Sequence, residues 1–233
     1  MSEIPVKPRP YERANILLRR GARALIPNGI RSGISEFVRG RFLPYRSRDW
    51  DAEYRSGFWN RLENACELVR YSAIAGYYTY NWPGGSVLDV GCGSGVLYRR
   101  LRLAGPSKYV GIDISESAIA QARMLTNDSC AEFHCVGAEA FTSQVGFDVI
   151  VFNEVLYYFP KPINIIERLM GGVKPGGGCI VSMFRKASND RIWRDLERAL
   201  RIEDTVRLTN QDGVTWDIKV FRRRKKSVLT GEC

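Results

Sequence analysis

Val87-Leu88-Asp89-Val90-Gly91-Cys92-Gly93-Ser94-Gly95 is the stretch that decides the fold of this 233-residue chain. Four residues typical of a buried strand run into three alternating glycines, and an apolar and basic helical pattern begins at Val96. A second apolar segment, 109–112, ends in Asp113. Glycines let a strand-to-helix turn approach a ligand closely, and an acid after the next strand can accept hydrogen bonds from two ribose hydroxyls. The pattern therefore predicts a nucleoside-binding site.

The glycine spacing excludes two common nucleotide-binding motifs. A dinucleotide fingerprint places glycines at its first, third and sixth positions, whereas the sixth position here is Val96 and the glycines fall at 91, 93 and 95. No Gly-Lys-Ser or Gly-Lys-Thr follows, so the stretch is not a phosphate-binding P-loop. A dehydrogenase is accordingly the weakest interpretation of this site.

With Asp89 before it and Asp113 after it, the glycine pattern closely resembles the class I S-adenosylmethionine-dependent methyltransferases. Residues 147–159 resemble the family's fourth-strand motif and the loop that faces the methyl group. Residues 169–182 resemble its following helix, Pro-Gly turn and fifth strand. The resemblance covers residues 59–220. It implies an α/β fold, with a Rossmann-like seven-stranded, mostly parallel sheet, helices on both faces and a C-terminal antiparallel hairpin, and it implies S-adenosyl-L-methionine as cofactor.

The periodicity along the chain is compatible with that fold, because strand and helix patterns alternate after a long aromatic-rich helical region at 58–80. A hairpin turn signal, Gln211-Asp212-Gly213, separates two last strands at 206–209 and 215–221. The other strands are expected near 86–90, 109–113, 131–136, 147–152 and 178–184, and the other helices near 95–104, 116–126, 161–171 and 188–202.

Charge divides the chain into three predicted parts: a basic N-terminal extension with amphipathic helices at 1–48, a methyltransferase domain at 49–221 and a basic C-terminal tail at 222–233. Residues 1–48 carry eleven basic and three acidic side chains, a net charge of +8. The centre is nearly neutral, which disfavours a nucleic-acid partner. Basic ends suit peripheral contact with an anionic membrane, or they are solvated tails that aid solubility.

The sequence predicts a cytoplasmic protein, with peripheral membrane association as an option for its basic ends. No apolar run reaches the roughly 18–20 residues of a membrane span, and the N-terminus lacks a signal-peptide core. The six cysteines include no Cys-x-x-Cys pair and suggest reduced, buried thiols. No metal is expected at Cys130, His134 and Cys135, because adjacent strand residues point to opposite faces. His134 is expected on a covered face of the sheet.

The resemblance assigns the cofactor site to residues around the first two strands. Asp89 would orient the glycine loop and neutralise the cofactor's positively charged end, while Gly91 and Gly93 would lie beneath its amino-acid and ribose portions. Asp113 would bind both ribose hydroxyls, and Ile114 would follow it in the site. The alternative for Asp113 is to cap the helix that starts near Ser115.

The segment after the third strand, which would bind the adenine ring, departs from the family pattern, because Ala138 occupies a position where an acid often occurs. Glu139 would bind the adenine amino group, unless the backbone suffices there or Glu139 is an ordinary acid at a helix start. Trp59 and Tyr71 precede the sheet, where the family's leading helices close over the cofactor. Aromatic rings suit a sulfonium cation, although such residues also build cores.

The predicted catalytic residues follow the fourth strand. Asn153 resembles a position that contacts the cofactor through its backbone. Glu154 is a candidate general base, a charge that orients a cationic substrate, or a buried structural acid paired with the N-terminal helices. Tyr157 is predicted to line the acceptor pocket.

These residues favour an enzyme that moves a methyl group to an O or N nucleophile of a small molecule, such as a sugar, a lipid-linked intermediate or a secondary metabolite. Residues 153–156 lack the Asn/Asp-Pro-Pro-Tyr/Phe motif of nucleic-acid amino methyltransferases. An RNA or protein methyltransferase that docks through basic tails, and a non-catalytic scaffold that keeps the fold, remain as alternatives.

Overall fold

A seven-stranded sheet forms the centre of the computed structural model, which describes residues 49–224. The strand order is β3-β2-β1-β4-β5-β7-β6. The first five strands in that order are parallel, and β7 is antiparallel to both of its neighbours. The predicted fold class is therefore confirmed. The strands are β1 Val87–Val90, β2 Tyr109–Asp113, β3 Ala131–Cys135, β4 Phe147–Asn153, β5 Val173–Phe184, β6 Leu200–Thr209 and β7 Thr215–Arg223.

Helices cover both faces of the sheet and complete two apolar cores. One core lies between the sheet and α2, α3 and α4, and the other lies between the sheet and α5 and α6. The α-helices are α1 Trp50–Arg55, α2 Ala65–Asn81, α3 Val96–Leu101, α4 Glu116–Met124, α5 Pro162–Gly171 and α6 Asp190–Ala199. Short 3-10 helices occupy Phe58–Glu63, Arg102–Ala104, Leu156–Tyr158 and Ala187–Asn189. All four residues of β1 are buried, as is usual for a parallel strand between two helical layers.

Several element boundaries differ from the sequence prediction, and strand β5, expected near 178–184, begins at Val173. The helical region expected at 58–80 is interrupted at Asn64, whose extended backbone separates a 3-10 helix from α2. The helix expected at 188–202 ends at Ala199, because pairing with β7 extends the last hairpin down to Leu200. Strand β7 likewise continues to Arg223, two residues past the predicted end of the domain. From Leu200 onward, tertiary strand pairing overrides the local helix propensity.

The connection between β3 and β4 contains no helix, so one face of the sheet's β3 edge is uncovered. His134 was expected on a covered face and is instead exposed, with its Nε2 atom 3.4 Å from a carboxylate oxygen of Glu132. The prediction of buried thiols is also only partly right. Cys92 and Cys179 are buried, whereas Cys135 at the end of β3 is exposed, and all five described cysteines are free.

The parallel strands bring the motif residues to one edge of the sheet. Val90, the last residue of β1, is in register with Ile112 of β2 and Phe152 of β4. The residues that follow these three positions therefore meet at the carboxyl edge, where ligands bind in open α/β sheets. Within residues 49–224, no helix has the length and apolarity needed to cross a membrane. The predicted extension at 1–48 and the last nine residues of the predicted tail lie outside the described part of the chain.

Substitution of Gly178 tests how closely α2 and β7 pack on β5. A Cβ atom at this position would lie 2.4 Å from the carbonyl oxygen of Phe221 and 3.0 Å from the Trp82 ring. We expect Gly178→Ala to lower the free energy of unfolding by about 2 kcal/mol, because the backbone must shift to admit the methyl group. Urea denaturation measures the change.

Gly171→Ala is the matched control, since nothing lies within 4 Å of a Cβ atom at that position at the end of α5. This variant should keep or slightly raise stability, by about 0.5 kcal/mol. Equal midpoints for the two variants would contradict the packing described for β5.

Candidate active site

The glycine loop after β1 is a close-fitting cradle at the carboxyl edge. Gly91 and Gly93 have φ angles of 73° and 55°, which favour glycine over other residues. A Cβ atom on Gly93 would lie 2.3 Å from the hydroxyl oxygen of Tyr54, and one on Gly91 would lie 2.5 Å from Val155. Only glycine therefore lets α1 and the β4 turn approach the loop this closely.

Asp89 is a buried carboxylate with one unsatisfied oxygen. Its Oδ2 atom accepts a hydrogen bond of 2.5 Å from the Tyr109 hydroxyl, whereas Oδ1 is buried and has no hydrogen-bond partner. Burial raises the pKa of Asp89 to about 7, and the Tyr109 bond only partly offsets this effect. A buried oxygen of this kind is suited to accept a hydrogen bond from a bound cation.

Asp113 joins the glycine loop to the start of α4. Its Oδ2 atom accepts from the amide of Gly93 at 3.0 Å, and its Oδ1 atom accepts from the amide of Ser115 at 2.9 Å. The N-cap of α4 is Ser115, whose hydroxyl accepts from the Ala118 amide. Each carboxylate oxygen of Asp113 keeps a second lone pair, so two hydroxyl groups of a ligand can still be bound.

The predicted adenine-binding residues gather around Gly137. A Cβ atom on Gly137 would lie 3.3 Å from the Glu139 carboxylate and 3.5 Å from the Ile114 side chain. Ile114 is 41% exposed, although it is apolar and adjoins Asp113. Ala138 is buried, and its carbonyl oxygen accepts a hydrogen bond from Arg168. The structure therefore places Ile114 and Glu139 side by side next to the ribose-binding candidate.

Arg70 of α2 is a site residue that sequence reasoning missed. Its side chain is 1% exposed and forms a 2.8 Å ion pair with Glu67. Its Nη1 atom donates to Asn153 Oδ1, and its guanidinium carbon lies 4.5 Å from the centre of the Tyr71 ring. The sequence did contain a signal: Glu67 and Arg70 are the only charged residues of α2, and they share a face with the buried residue Ile74.

Three buried donors near Arg70 have no acceptor. These are Arg70 Nε, the Ser182 hydroxyl and Trp216 Nε1. Ser182 is in register with Asn153, so its side chain lies on the same face of the sheet as Asn153 and beneath α2. Buried polar groups are nearly always hydrogen-bonded in native proteins, so these donors mark a place for bound solvent or a ligand oxygen.

Glu154 and Tyr157 form a hydrogen-bonded pair just beyond β4. The Tyr157 hydroxyl donates to Glu154 Oε2 at 2.8 Å. Glu154 has a φ angle of 60°, the only positive φ of a non-glycine residue in the described chain, and its amide donates to the Ser182 carbonyl oxygen. Strained backbone of this kind is concentrated at functional sites, because the surrounding structure must hold it in place.

Aromatic rings connect the leading helices to the β4 turn. Trp59 stacks on Trp50 and on Tyr54, with ring centres 6.0 and 5.9 Å apart. Trp50 in turn meets Tyr158 edge to face at 4.9 Å, and Tyr158 meets Tyr157 at 4.6 Å. The predicted residue Trp59 thus lies in a layer that contacts the glycine loop through Tyr54. Tyr71 is buried in α2 beside Arg70.

The site fits the chemical groups of S-adenosyl-L-methionine. The unsatisfied oxygen of Asp89 suits its ammonium group, Arg70 suits its carboxylate, and Asp113 suits its ribose hydroxyls. Fold and site together define a class I S-adenosylmethionine-dependent methyltransferase domain.

A family model described as a methyltransferase domain matches residues 82–220, more than half of the chain, and the chain therefore belongs to this family. A curated relative, a ubiquinone biosynthesis O-methyltransferase of Hydrogenovibrio crunogenus, is 34% identical over 105 residues. This match covers 43% of each protein, so the chain spans less than half the length of that relative.

Two solved structures share the fold. One is the N-methyltransferase NodS from Bradyrhizobium japonicum WM9, in complex with S-adenosylhomocysteine, with a TM-score of 0.65 and 20% sequence identity. The match covers 76% of this chain and 100% of the NodS chain. Magnesium protoporphyrin IX methyltransferase from Synechocystis PCC 6803, with bound S-adenosylmethionine, has a TM-score of 0.60 at 19% identity, covering 98% of that chain and 76% of this one.

Metal-binding side chains do not assemble in the part of the chain that the structure describes: no group of three or more His, Cys, Asp or Glu residues could hold an ion there. Cys130 precedes β3, and Cys135 and His134 are both exposed at its end.

Asp89 makes the stability of the ligand-free protein depend on pH. Its pKa of about 7 lies above the unfolded value of 3.8, so the folded protein retains a proton that the unfolded chain has lost. Stability should fall as pH rises from about 4 to 7, by up to about 4 kcal/mol. Asp89→Asn removes this dependence while still accepting from Tyr109, and it should be more stable than wild type at pH 8.

Urea unfolding between pH 4 and 8, without cofactor, measures this difference. Asp190→Asn is a suitable control, because Asp190 is exposed at the start of α6 and forms no ion pair within residues 49–224. Parallel stability profiles for wild type and Asp89→Asn would show that Asp89 does not hold the proton.

Proposed function

We propose that this protein binds S-adenosyl-L-methionine and transfers its methyl group to an O or N nucleophile of a small molecule. One observation carries the proposal: the hydrogen-bonded pair of Glu154 and Tyr157 lies beside the cradle of Gly91. Val155 connects the Glu154–Tyr157 pair to the cradle. Its side chain is the nearest neighbour of a Cβ atom on Gly91, and it follows Glu154 directly in the chain. A basic group thus stands where an acceptor would meet the methyl donor.

In this proposal the residues around β1 and β2 bind the cofactor. Asp113 accepts the two ribose hydroxyls while it also holds the amides of Gly93 and Ser115. The unsatisfied Oδ1 atom of Asp89 accepts a hydrogen bond from the cofactor's ammonium group, and the unsatisfied Nε atom of Arg70 donates to the cofactor's carboxylate. Opposite charges on opposite walls fix the direction of the bound amino-acid end.

The adenine end and the aromatic layer complete the proposed cofactor site. Ile114 would cover one face of the adenine ring, and Ala138 and Glu139 would border its edge. Asn153 would contact the cofactor through its backbone at the end of β4. Trp59 would close the site from above through Tyr54, whereas Tyr71 would act indirectly by packing on Arg70.

The catalytic step needs alignment and removal of one proton. The cofactor supplies an activated methyl group on a sulfonium centre. Glu154 is the proposed general base. It accepts the proton of an acceptor hydroxyl as the oxygen displaces the sulfur in line, or it first takes a proton from an acceptor ammonium group, whose nitrogen then has the lone pair needed for the displacement. Tyr157 holds the Glu154 carboxylate in position through its 2.8 Å hydrogen bond. The aromatic layer excludes water from the site.

The names of relatives support a small acceptor. The Hydrogenovibrio crunogenus relative is a ubiquinone biosynthesis O-methyltransferase, and NodS is an N-methyltransferase. Sugars, lipid-linked intermediates and secondary metabolites are the acceptor classes we propose. The basic sequences at 1–48 and 219–233, with net charges of +8 and +5, also support peripheral association with an anionic membrane.

Titration with S-adenosylhomocysteine in a calorimeter tests the cofactor assignment. We expect micromolar binding by the full chain and no heat with NAD. Asp113→Ala should weaken binding on the order of a hundredfold or more, because two hydroxyl hydrogen bonds to a carboxylate are lost. Arg70→Gln should weaken it less, since one charged contact is replaced by a neutral one.

Asp190→Ala is the control for a lost carboxylate away from the site. If Asp113→Ala still bound S-adenosylhomocysteine like wild type, Asp113 would not be the residue that binds the ribose hydroxyls. Absence of binding by the wild-type chain would overturn the proposed activity and favour a scaffold that only keeps the fold.

Release of S-adenosylhomocysteine in the presence of catechol or glucosamine tests the catalytic pair. For whichever acceptor turns over, Glu154→Gln should lower kcat on the order of 10²–10⁴-fold, since general-base assistance is lost. Tyr157→Phe should lower it about tenfold, because it removes only the hydrogen bond that positions Glu154.

Tyr80→Phe is a matched control, since Tyr80 is 87% exposed and far from the carboxyl edge. Cofactor affinity should be unchanged in all three variants. Full turnover by Glu154→Gln would show that the reaction needs no base at this position.

A further inference from the structure

The four most exposed large apolar residues of the described chain all lie at the edge of the sheet opposite to the candidate active site. They are Leu103 at 91%, Tyr80 at 87%, Met124 at 77% and Val145 at 56%. Isolated exposed apolar residues are common on soluble proteins, but concentration at one end of a domain is not expected by chance. We call these four residues the amino-edge patch.

Chain topology explains why the four residues are neighbours. In a parallel α/β sheet, every crossover helix begins near the carboxyl edge and ends near the amino edge. Tyr80 ends α2, Leu103 follows α3 and Met124 ends α4, and each lies just before the chain re-enters the sheet. Val145 lies two residues before β4 and so reaches the same edge.

The helices that precede Tyr80, Leu103 and Met124 pack on one face of the sheet, which places these three residues along the same side of the amino edge. α2 packs beside α3, and α3 shares the core beneath it with α4. Packed helices are about 8–10 Å apart, so Tyr80, Leu103 and Met124 are spaced along the edge at intervals of roughly that size. Leu125, 49% exposed, extends the patch beside Met124.

Arginines without ion-pair partners accompany the patch. Arg100 and Arg102 are exposed on either side of the buried Leu101, and neither forms an ion pair or side-chain hydrogen bond within residues 49–224. Leu103 follows immediately. This juxtaposition of free guanidinium groups and exposed aliphatic side chains is typical of surfaces that bind membrane interfaces.

Lysines neutralise two of the carboxylates near this edge: Glu132 is 2.9 Å from the Lys108 ammonium group, and Asp148 is 2.7 Å from that of Lys174. Asp128 accepts a hydrogen bond from the Tyr98 hydroxyl, keeps its negative charge and interacts electrostatically with Arg102. Asp128 therefore offsets one of the two arginines, and the charge of Arg100 remains uncompensated.

The end of β7 adds positive charge at the same edge. Strand β7 is antiparallel to β5 and ends at Arg223, whose side chain donates to the carbonyl oxygen of Val173 at the start of β5. Arg224, the last described residue, is exposed and donates to the carbonyl oxygen of Glu197. Both guanidinium groups are bonded to neutral carbonyl oxygens, so their positive charge remains.

We infer that the amino edge of the sheet is a membrane-docking surface that fits an anionic phospholipid bilayer. Leu103, Met124, Tyr80 and Val145 insert among the lipid headgroups, and Arg100 and Arg102 bind lipid phosphates. The inference deepens the peripheral association proposed above and does not depend on the methyl acceptor.

Docking through this edge sets the orientation of the enzyme. The amino and carboxyl edges are separated by the length of the short central strands, four or five residues, or roughly 15 Å. The glycine cradle and Glu154 then face away from the bilayer. The acceptor's reactive group must reach the site from the aqueous side, even when the rest of the acceptor is lipid-linked.

Sedimentation of the full chain with vesicles tests the inference. Vesicles of phosphatidylglycerol and phosphatidylcholine should bind the protein, vesicles of phosphatidylcholine alone should not, and salt should weaken binding. Leu103→Glu/Met124→Glu and Arg100→Glu/Arg102→Glu should each reduce the partition coefficient about tenfold or more.

Leu68→Glu is the matched control, because Leu68 is also an exposed leucine but lies in the first turn of α2, near the carboxyl edge. It should bind vesicles like wild type. Titration with S-adenosylhomocysteine should give wild-type affinity for every variant, which shows that the fold and the cofactor site are intact.

Two results would overturn the inference. One is wild-type binding to anionic vesicles by both amino-edge variants, which would assign the contact to the basic ends alone. The other is the absence of vesicle binding by a wild-type chain that still binds S-adenosylhomocysteine. In that case the membrane-docking inference fails, and the methyltransferase proposal is unaffected.

Discussion

Two hydrogen bonds to one carboxylate hold the candidate site together. Asp113 accepts the amide of Gly93 from the loop after β1 and the amide of Ser115 from the start of α4. The same carboxylate is the ribose-binding candidate, so the groups that shape the cradle and the group that binds the ligand are one unit. Neighbouring elements depend on this unit, because Asp51 of α1 accepts from the Ser115 hydroxyl and thereby attaches the leading helix to the same turn.

The sheet and much of the site could be predicted because local signals and tertiary structure agree there. Asp89, Gly91, Gly93 and Asp113 occupy a strand–turn–helix–strand unit whose geometry is encoded over 27 consecutive positions, 87–113. The β4 motif could be placed for the same reason, since a buried apolar strand leads directly into Asn153 and Glu154. Each of these residues follows a strand whose carboxyl end is fixed by the parallel topology.

The remaining features depend on contacts between distant parts of the chain. Arg70 became a site residue only because α2 crosses the end of β4 and reaches Asn153. Leu200 became part of a strand because β7 offers a pairing edge, although its own segment continued a helical pattern. His134 is exposed because the connection after β3 forms no covering helix. Such outcomes are set by which elements meet, and a periodicity along one segment contains no information about its partners.

The position of Tyr54 has a kinetic consequence. Its ring belongs to α1 and is 7% exposed, and its hydroxyl oxygen lies 2.3 Å from where a side chain on Gly93 would begin. If the nucleoside lies over Gly93 as proposed above, it occupies the space that the Tyr54 ring now fills, and its entry loosens the contacts of α1. Association is then a two-step process with a rate below the diffusional limit, and departure of the spent cofactor is slowed by the same barrier.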